Sequence, residues 1–260
     1  MKPKALILTG YGINTDSEMA YAFELAGAEA ERVHLHDLIA GEAKLSDYEV
    51  FVIPGGFSFA DDLGAGKVLA ERLRVHLMDD LLAFIEDDKL VLGVCNGFQV
   101  LVKLGLLPAL ERYGLQEATL TFNDSGRFED RWVYLEPERD SVCVFTRGLD
   151  RLYLPIRHAE GKFVPRDEGV LKRLSAQGQI ALRYVDPEGR PAGYPWNPNG
   201  SVEDIAGICD PTGRVFGLMP HPEAYLHKYH HPRWTRESVP EEGLGLPLFR
   251  NAVEYVRSRR

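Results

Sequence analysis

Over roughly the first 105 residues, short apolar runs alternate with stretches of helical period, which is the rhythm of a βαβ chain. Ala5-Leu6-Ile7-Leu8 predicts a buried strand, Arg32-Val33-His34-Leu35 a second, Val50-Phe51-Val52-Ile53 a third and Leu90-Val91-Leu92-Gly93-Val94 a fourth. Between them, Thr15-Asp16-Ser17-Glu18 spells a capping box, followed by Met19, Phe23 and Ala26 at helical spacing. Lys67 to Glu86 predicts a long amphipathic helix, and Phe98 to Leu104 the start of another. Strands separated by helices imply right-handed crossovers and a parallel sheet covered on both faces.

The second half carries a different pattern. Ala118–Phe122, Arg131–Leu135, Ile180–Val185 and Val215–Met219 are strand-like, with few long helices between them, and Pro247 to Arg257 predicts a closing helix. These strands are expected to extend the same unit, partly antiparallel. No repeat, low-complexity tract or linker interrupts the chain, so one unit over residues 1–260 is expected; a boundary near 110–130 is the alternative.

Composition narrows the function class. Of 260 residues, 45% are hydrophobic and 27% charged, which excludes disorder. Lys+Arg total 30 and Asp+Glu 39, a net charge of −9 that argues against work on nucleic acid or anionic membranes. No run approaches the ~18–20 apolar residues of a membrane span, and the Met1–Gly10 segment fits a strand better than a signal peptide. Cys95, Cys143 and Cys209 form neither a disulfide framework nor a zinc motif, which fits a cytoplasmic protein. Without a secretion signal, the sequons at Asn123 and Asn199 carry no weight.

The strongest local signal is Gly93-Val94-Cys95-Asn96-Gly97, placed between a buried strand and a helical pattern. It has the spacing of a nucleophile elbow with cysteine as the nucleophile. Such a turn presents its side chain at the carboxyl end of the sheet, where open α/β folds bind ligands, and the helix dipole favours a thiolate there. The competing explanation is a buried structural cysteine in a tight turn. Met219-Pro220-His221-Pro222-Glu223 follows another strand. Proline holds the preceding residues extended, so His221 and Glu223 are expected on one side, a base with its orienting carboxylate. Pro54-Gly55-Gly56-Phe57-Ser58 closes the third strand, where glycines let backbone N–H groups approach a ligand.

Three other patterns carry weaker signals. Gly10-Tyr11-Gly12-Ile13-Asn14-Thr15 lacks the last glycine of a dinucleotide-binding loop. Gly64-Ala65-Gly66-Lys67 lacks both the first glycine and the final Ser/Thr of a phosphate loop, Asp61 and Val68 standing there instead. His227, His230 and His231 lie in a polar stretch without a carboxylate pattern, so surface histidines are expected rather than a metal site.

Together, Gly93–Gln99, Pro54–Lys67 and Met219–Glu223 resemble the triad-type glutamine amidotransferases. The match is nearer still to one family, the glutamine amidotransferase component of phosphoribosylformylglycinamidine synthase. Gly12–Asn14, Phe122–Phe128, Pro155–Gly161 and Asn197–Ser201 carry it along nearly the whole chain. The resemblance implies a flavodoxin-like, doubly wound α/β core and covalent catalysis. Cys95 would attack the glutamine amide, His221 would move the protons and Glu223 would hold His221. The oxyanion would meet N–H groups of Asn96 and of the Gly56–Phe57 turn. Gln99 would help hold glutamine, and His158 would lie near the pocket. The resemblance also implies no metal or cofactor in this chain. ATP and Mg²⁺ would belong to a separate formylglycinamidine ribonucleotide synthetase, with a small accessory subunit as a further expected partner. A stand-alone thiol hydrolase or peptidase of the same fold class, and a nucleotide-binding module built on Gly10–Thr15, are the alternatives.

Overall fold

The computed structural model describes residues 2–259. Strands β1 (Lys4–Thr9), β2 (Glu29–His34), β3 (Val50–Ile53) and β4 (Leu90–Val94) form the parallel part of the main sheet, with β11 (Val215–Leu218) beside β4. Their order is β2-β1-β3-β4-β11, the flavodoxin-like sequence with its switch point between β1 and β3. Every residue of β3, β4 and β11 is buried, because helices cover both faces. Helix α1 (Asp16–Leu25) packs with α6 (Leu246–Ser258), where Phe23 and Phe249 meet edge-on at 5.1 Å. Helices α3 (Lys67–Glu86) and α4 (Asn96–Leu104) pack against each other, with α4 seated on β3, β4 and β11.

The same sheet continues beyond β11 through antiparallel strands, as the second half of the sequence predicts. β10 (Ile205–Cys209) joins β11 to β9 (Ile180–Val185); β6 (Glu129–Pro137) and the edge strand β7 (Leu152–His158) complete nine strands. A separate pair, β5 (Ala118–Thr121) with β8 (Lys162–Pro165), lies against α4, and α5 (Glu168–Ala176) follows it. Phe98 of α4 stacks on Phe163 of β8 at 6.4 Å. None of the helices among the described residues is long and apolar enough to cross a membrane.

Several local expectations are corrected. Leu35 opens a short helix, α2 (Leu35–Ala40), instead of closing β2. Thr15 precedes α1 but its side chain caps nothing. Its hydroxyl is held by Gly55, accepting from the Gly55 N–H at 2.9 Å and donating to the Gly55 carbonyl at 3.3 Å. A tertiary partner outcompetes the local cap, and the result ties the end of β1 to the end of β3.

Candidate active site

The loops after β1, β3, β4 and β11 meet at the carboxyl edge of the parallel strands. Cys95 joins β4 to α4 with φ 52° and ψ −105°, a conformation that costs a non-glycine residue free energy and persists only where its surroundings impose it. The Cys95 N–H donates to the Leu218 carbonyl at 2.8 Å and its carbonyl accepts from the Gln99 N–H at 3.1 Å, so strand and helix grip the elbow from both sides. The flanking glycines are there for packing. A Cβ on Gly97 would lie 2.7 Å from the Ile53 carbonyl carbon, and one on Gly93 would lie 2.6 Å from the Gly97 carbonyl oxygen.

His221 follows β11 with extended backbone, as predicted, and its N–H donates to the Pro155 carbonyl at 2.8 Å. Glu223 reaches it by a different route from the one expected. Pro222–Ala224 is a single 3₁₀ turn rather than extended chain, and it folds the carboxylate back so that Oε1 lies 2.6 Å from His221 Nδ1. Both side chains are buried. Nε2 of His221 has no partner within hydrogen-bond limits. Its ring and the nucleophile flank one backbone position: a Cβ on Gly55 would lie 2.8 Å from His221 Cε1 and 3.5 Å from Cys95 Cβ. Burial pushes the His221 imidazole down, but the Glu223 carboxylate and the Cys95 sulfur outweigh it and raise it to about 10. The Cys95 thiol itself donates weakly to the Arg157 carbonyl at 3.7 Å.

A cleft of about 110 Å³ opens over Cys95 and His221, with Asn14, Thr15, Gly56, Phe57, Phe128 and Arg157 as its other walls. Asn14, Thr15, Phe128 and Arg157 have no role in the sequence-based site. Three of them lie within segments that carry the family resemblance, which was the available signal. Phe57 and Phe128 sit 6.3 Å apart at the mouth.

The oxyanion donors need one correction. The Phe57 N–H donates to the Gly12 carbonyl at 2.8 Å and is not free. Gly56 (φ 151°) finds no backbone acceptor for its own N–H among the described residues, and Asn96 opens α4, so its N–H is an orphan helix donor. Gln99 does not line the cleft either. Its Oε1 accepts from Asn96 Nδ2 at 2.9 Å and its Nε2 donates to the Glu160 carbonyl at 2.6 Å, which ties α4 to the loop after β7.

His158 is near the site but buried behind it, with Nδ1 3.1 Å from Asn123 Oδ1 and Nε2 unpartnered. Burial, then the charge of His221, pushes its imidazole down to about 3, so it stays neutral at physiological pH. An unfolded histidine takes up a proton near 6.5, so stability falls as pH drops below that value toward 3. The raised His221 works in the other direction: its contribution is complete below pH 6.5 and is lost only as pH rises through about 10. Urea unfolding at pH 7.5 and 5 should therefore show a smaller acid loss in His158→Gln than in wild type; equal losses would contradict the buried neutral histidine.

Of the three clustered histidines expected at the surface, His230 is exposed, His227 is half-buried and His231 is buried. His231 packs between Trp132, Tyr153 and Tyr225 at 5.5–5.8 Å, His227 Nε2 meets the Tyr21 hydroxyl at 3.0 Å, and His230 Nδ1 accepts from the Leu226 N–H at 3.2 Å. Among the described residues, no three His, Cys, Asp or Glu side chains are grouped to hold a metal ion.

Residues 2–256 match the family model for the CobB/CobQ-like glutamine amidotransferase domain. Phosphoribosylformylglycinamidine synthase subunit PurQ of Methanococcus maripaludis is 48% identical, covering 97% of each chain. The protein of the same name from Dehalococcoides mccartyi is 49% identical over 98% of each. Among solved structures, a chain of PurLQS from Thermotoga maritima superimposes with a TM-score of 0.75 at 31% identity, covering 98% of this chain and 100% of that one.

Proposed function

Since the chain belongs to the CobB/CobQ-like glutamine amidotransferase family, in its phosphoribosylformylglycinamidine synthase PurQ branch, we propose that it hydrolyses glutamine with Cys95, His221 and Glu223 and passes the ammonia to a synthetase subunit. The observation that carries this reading is the strained cysteine elbow beside a buried His221–Glu223 pair, at one edge of one cleft.

Cys95 Sγ gives its proton to His221 and attacks the side-chain amide carbon of glutamine. Negative charge develops on the amide oxygen, which the N–H groups of Gly56 and Asn96 receive. His221, carrying the proton, gives it to the departing nitrogen, and ammonia leaves a glutamyl thioester. Neutral His221 then takes a proton from water, whose oxygen attacks the thioester carbon and releases glutamate and the thiol.

Ammonia replaces the amide oxygen of formylglycinamide ribonucleotide only after that oxygen is activated by ATP. The site described contains no phosphate loop, so ATP and Mg²⁺ are assigned to the synthetase, the partner implied by the PurLQS assembly. With glutamine, Mg-ATP and formylglycinamide ribonucleotide, the chain alone should form glutamate slowly and no amidine. Adding the synthetase should accelerate glutamate release and yield amidine. Amidine from the chain alone would overturn the division of labour. Glutamate release also separates this function from a peptidase-like hydrolase.

A further inference from the structure

Behind the elbow, polar groups outside the triad form one connected cluster. Asn96 is 1% exposed and its side chain is fully engaged. Its Oδ1 accepts from the Ser58 N–H at 3.2 Å, and its Nδ2 donates to Asp61 Oδ1 at 3.1 Å and to Gln99 Oε1 at 2.9 Å. Asp61 Oδ1 also accepts from the Gly66 N–H at 3.1 Å, which closes the 58–66 turn on itself. In that turn Phe59, Ala60 and Asp61 have φ of 52°, 57° and 53°. Three successive non-glycine residues in the left-handed region persist only where their surroundings impose them, and the two bonds to Asp61 do so. The outer side of the turn is open: Leu63 is 76% exposed, and Tyr11, whose ring meets that of Phe59 at 5.4 Å, is 62% exposed.

We propose that Asp61 is a positioning residue of the glutaminase reaction: by gripping the Asn96 side chain it fixes the first amide of α4 toward the developing oxyanion, and it ties that amide to the exposed 58–66 turn. This rests on the glutamine chemistry assigned above to Cys95. An oxyanion donor acts only within a few tenths of an ångström of its hydrogen-bond distance, so the rotation of the Cys95–Asn96 peptide has to be fixed. The Asn96 side chain is pinned at Ser58, Asp61 and Gln99, and the backbone N–H of the same residue is the donor. Burial raises the Asp61 carboxyl, while the bonds from Gly66 and Asn96 and the nearby Lys103 ammonium oppose that shift. The grip needs an acceptor oxygen, not a charge, and an asparagine Oδ1 has two lone pairs for the same two donors.

The test compares two reactions of Cys95 in the full-length chain. Iodoacetamide alkylates the sulfur with loss of iodide and forms no oxyanion; glutamine hydrolysis forms one. Asp61→Ala should lower kcat for glutamate release by roughly 10- to 100-fold, leave KM within about twofold and leave the alkylation rate unchanged. Asp61→Asn should restore most of kcat. Should Asp61→Ala not fold, Asn96→Ala keeps the main-chain N–H without its grip and should show the same split between the two reactions. Where both fold, the double variant should be no worse than the poorer single one. The proposal is overturned by a kcat that survives Asp61→Ala, by alkylation falling in step with kcat, or by Asp61→Asn being as impaired as Asp61→Ala. A wild-type chain that alkylates at Cys95 but releases no glutamate, with or without the synthetase, overturns the glutaminase assignment itself and this proposal with it.

Discussion

Cys95→Ala is expected to abolish glutamine-dependent amidine formation in the complex with the synthetase while ammonium-dependent formation continues. The sulfur is the only group at the cleft that can form the thioester, and without it the remaining donors can do no more than bind glutamine. Loss of a nucleophile from a working triad costs about 10⁴- to 10⁶-fold in turnover. External ammonium bypasses the step, because the ATP-dependent activation is assigned to the other subunit. The change is small in volume at a residue that is 5% exposed, so the fold should tolerate it, and alanine there still carries the positive φ that the elbow imposes. The matching chemical experiment is labelling with a diazo-ketone analogue of glutamine, followed by peptide mapping. Cys143 and Cys209 are buried away from the cleft, so the adduct belongs on Cys95. An adduct mainly on either of the others, or a Cys95→Ala complex that still uses glutamine, sinks the nucleophile assignment.

How far the sequence reveals this site depends on how far apart in the chain the interacting groups lie. Helix α3, β4 and β9 are predicted to the residue, because their signals are local runs with clear stops. The elbow is equally local, whereas the His221–Glu223 pair forms through a 3₁₀ turn and not through the extended chain expected from Pro220 and Pro222. Other elements were hidden by residues that argue against them. β7 carries Pro155, which counts against a strand, yet β7 is an edge strand with one side unpaired, where proline is tolerated. β10 has Gly207 in its middle, and α5 is only 9 residues long with Asp167 as its cap. The misassigned side chains share one cause. Thr15 found Gly55 instead of its own helix, the Phe57 N–H found Gly12, and Gln99 found the Glu160 carbonyl 61 residues away. A family motif marks such residues without saying which of their atoms are free. That depends on contacts between loops from different strands, and only the folded chain brings those loops together.

His221→Ala is expected to slow glutamate release by about 10²- to 10⁴-fold, the usual cost of losing a general acid–base, with a smaller loss in Glu223→Gln. The difference follows from the geometry. Protons move through Nε2, whereas Glu223 touches only Nδ1, at 2.6 Å, where it fixes the ring and stabilises its charged form. Glu223→Gln keeps a hydrogen-bonding group at that position but removes the charge that holds the imidazole near 10 against the push of burial. The protonated imidazole is needed when ammonia leaves, so activity should decline on the alkaline side as that proton is lost. In the wild type this limb lies toward pH 10. In Glu223→Gln burial is no longer opposed by the carboxylate, so the limb should move to lower pH, and the deficit relative to wild type should widen as pH rises from 6 to 9. Initial rates of glutamate release across that range, with the synthetase present at saturation, provide the measurement. A limb that stays in place, or moves toward higher pH, would show that Glu223 does not set the protonation of His221. A His221→Ala variant with unimpaired turnover would remove the histidine from the mechanism altogether.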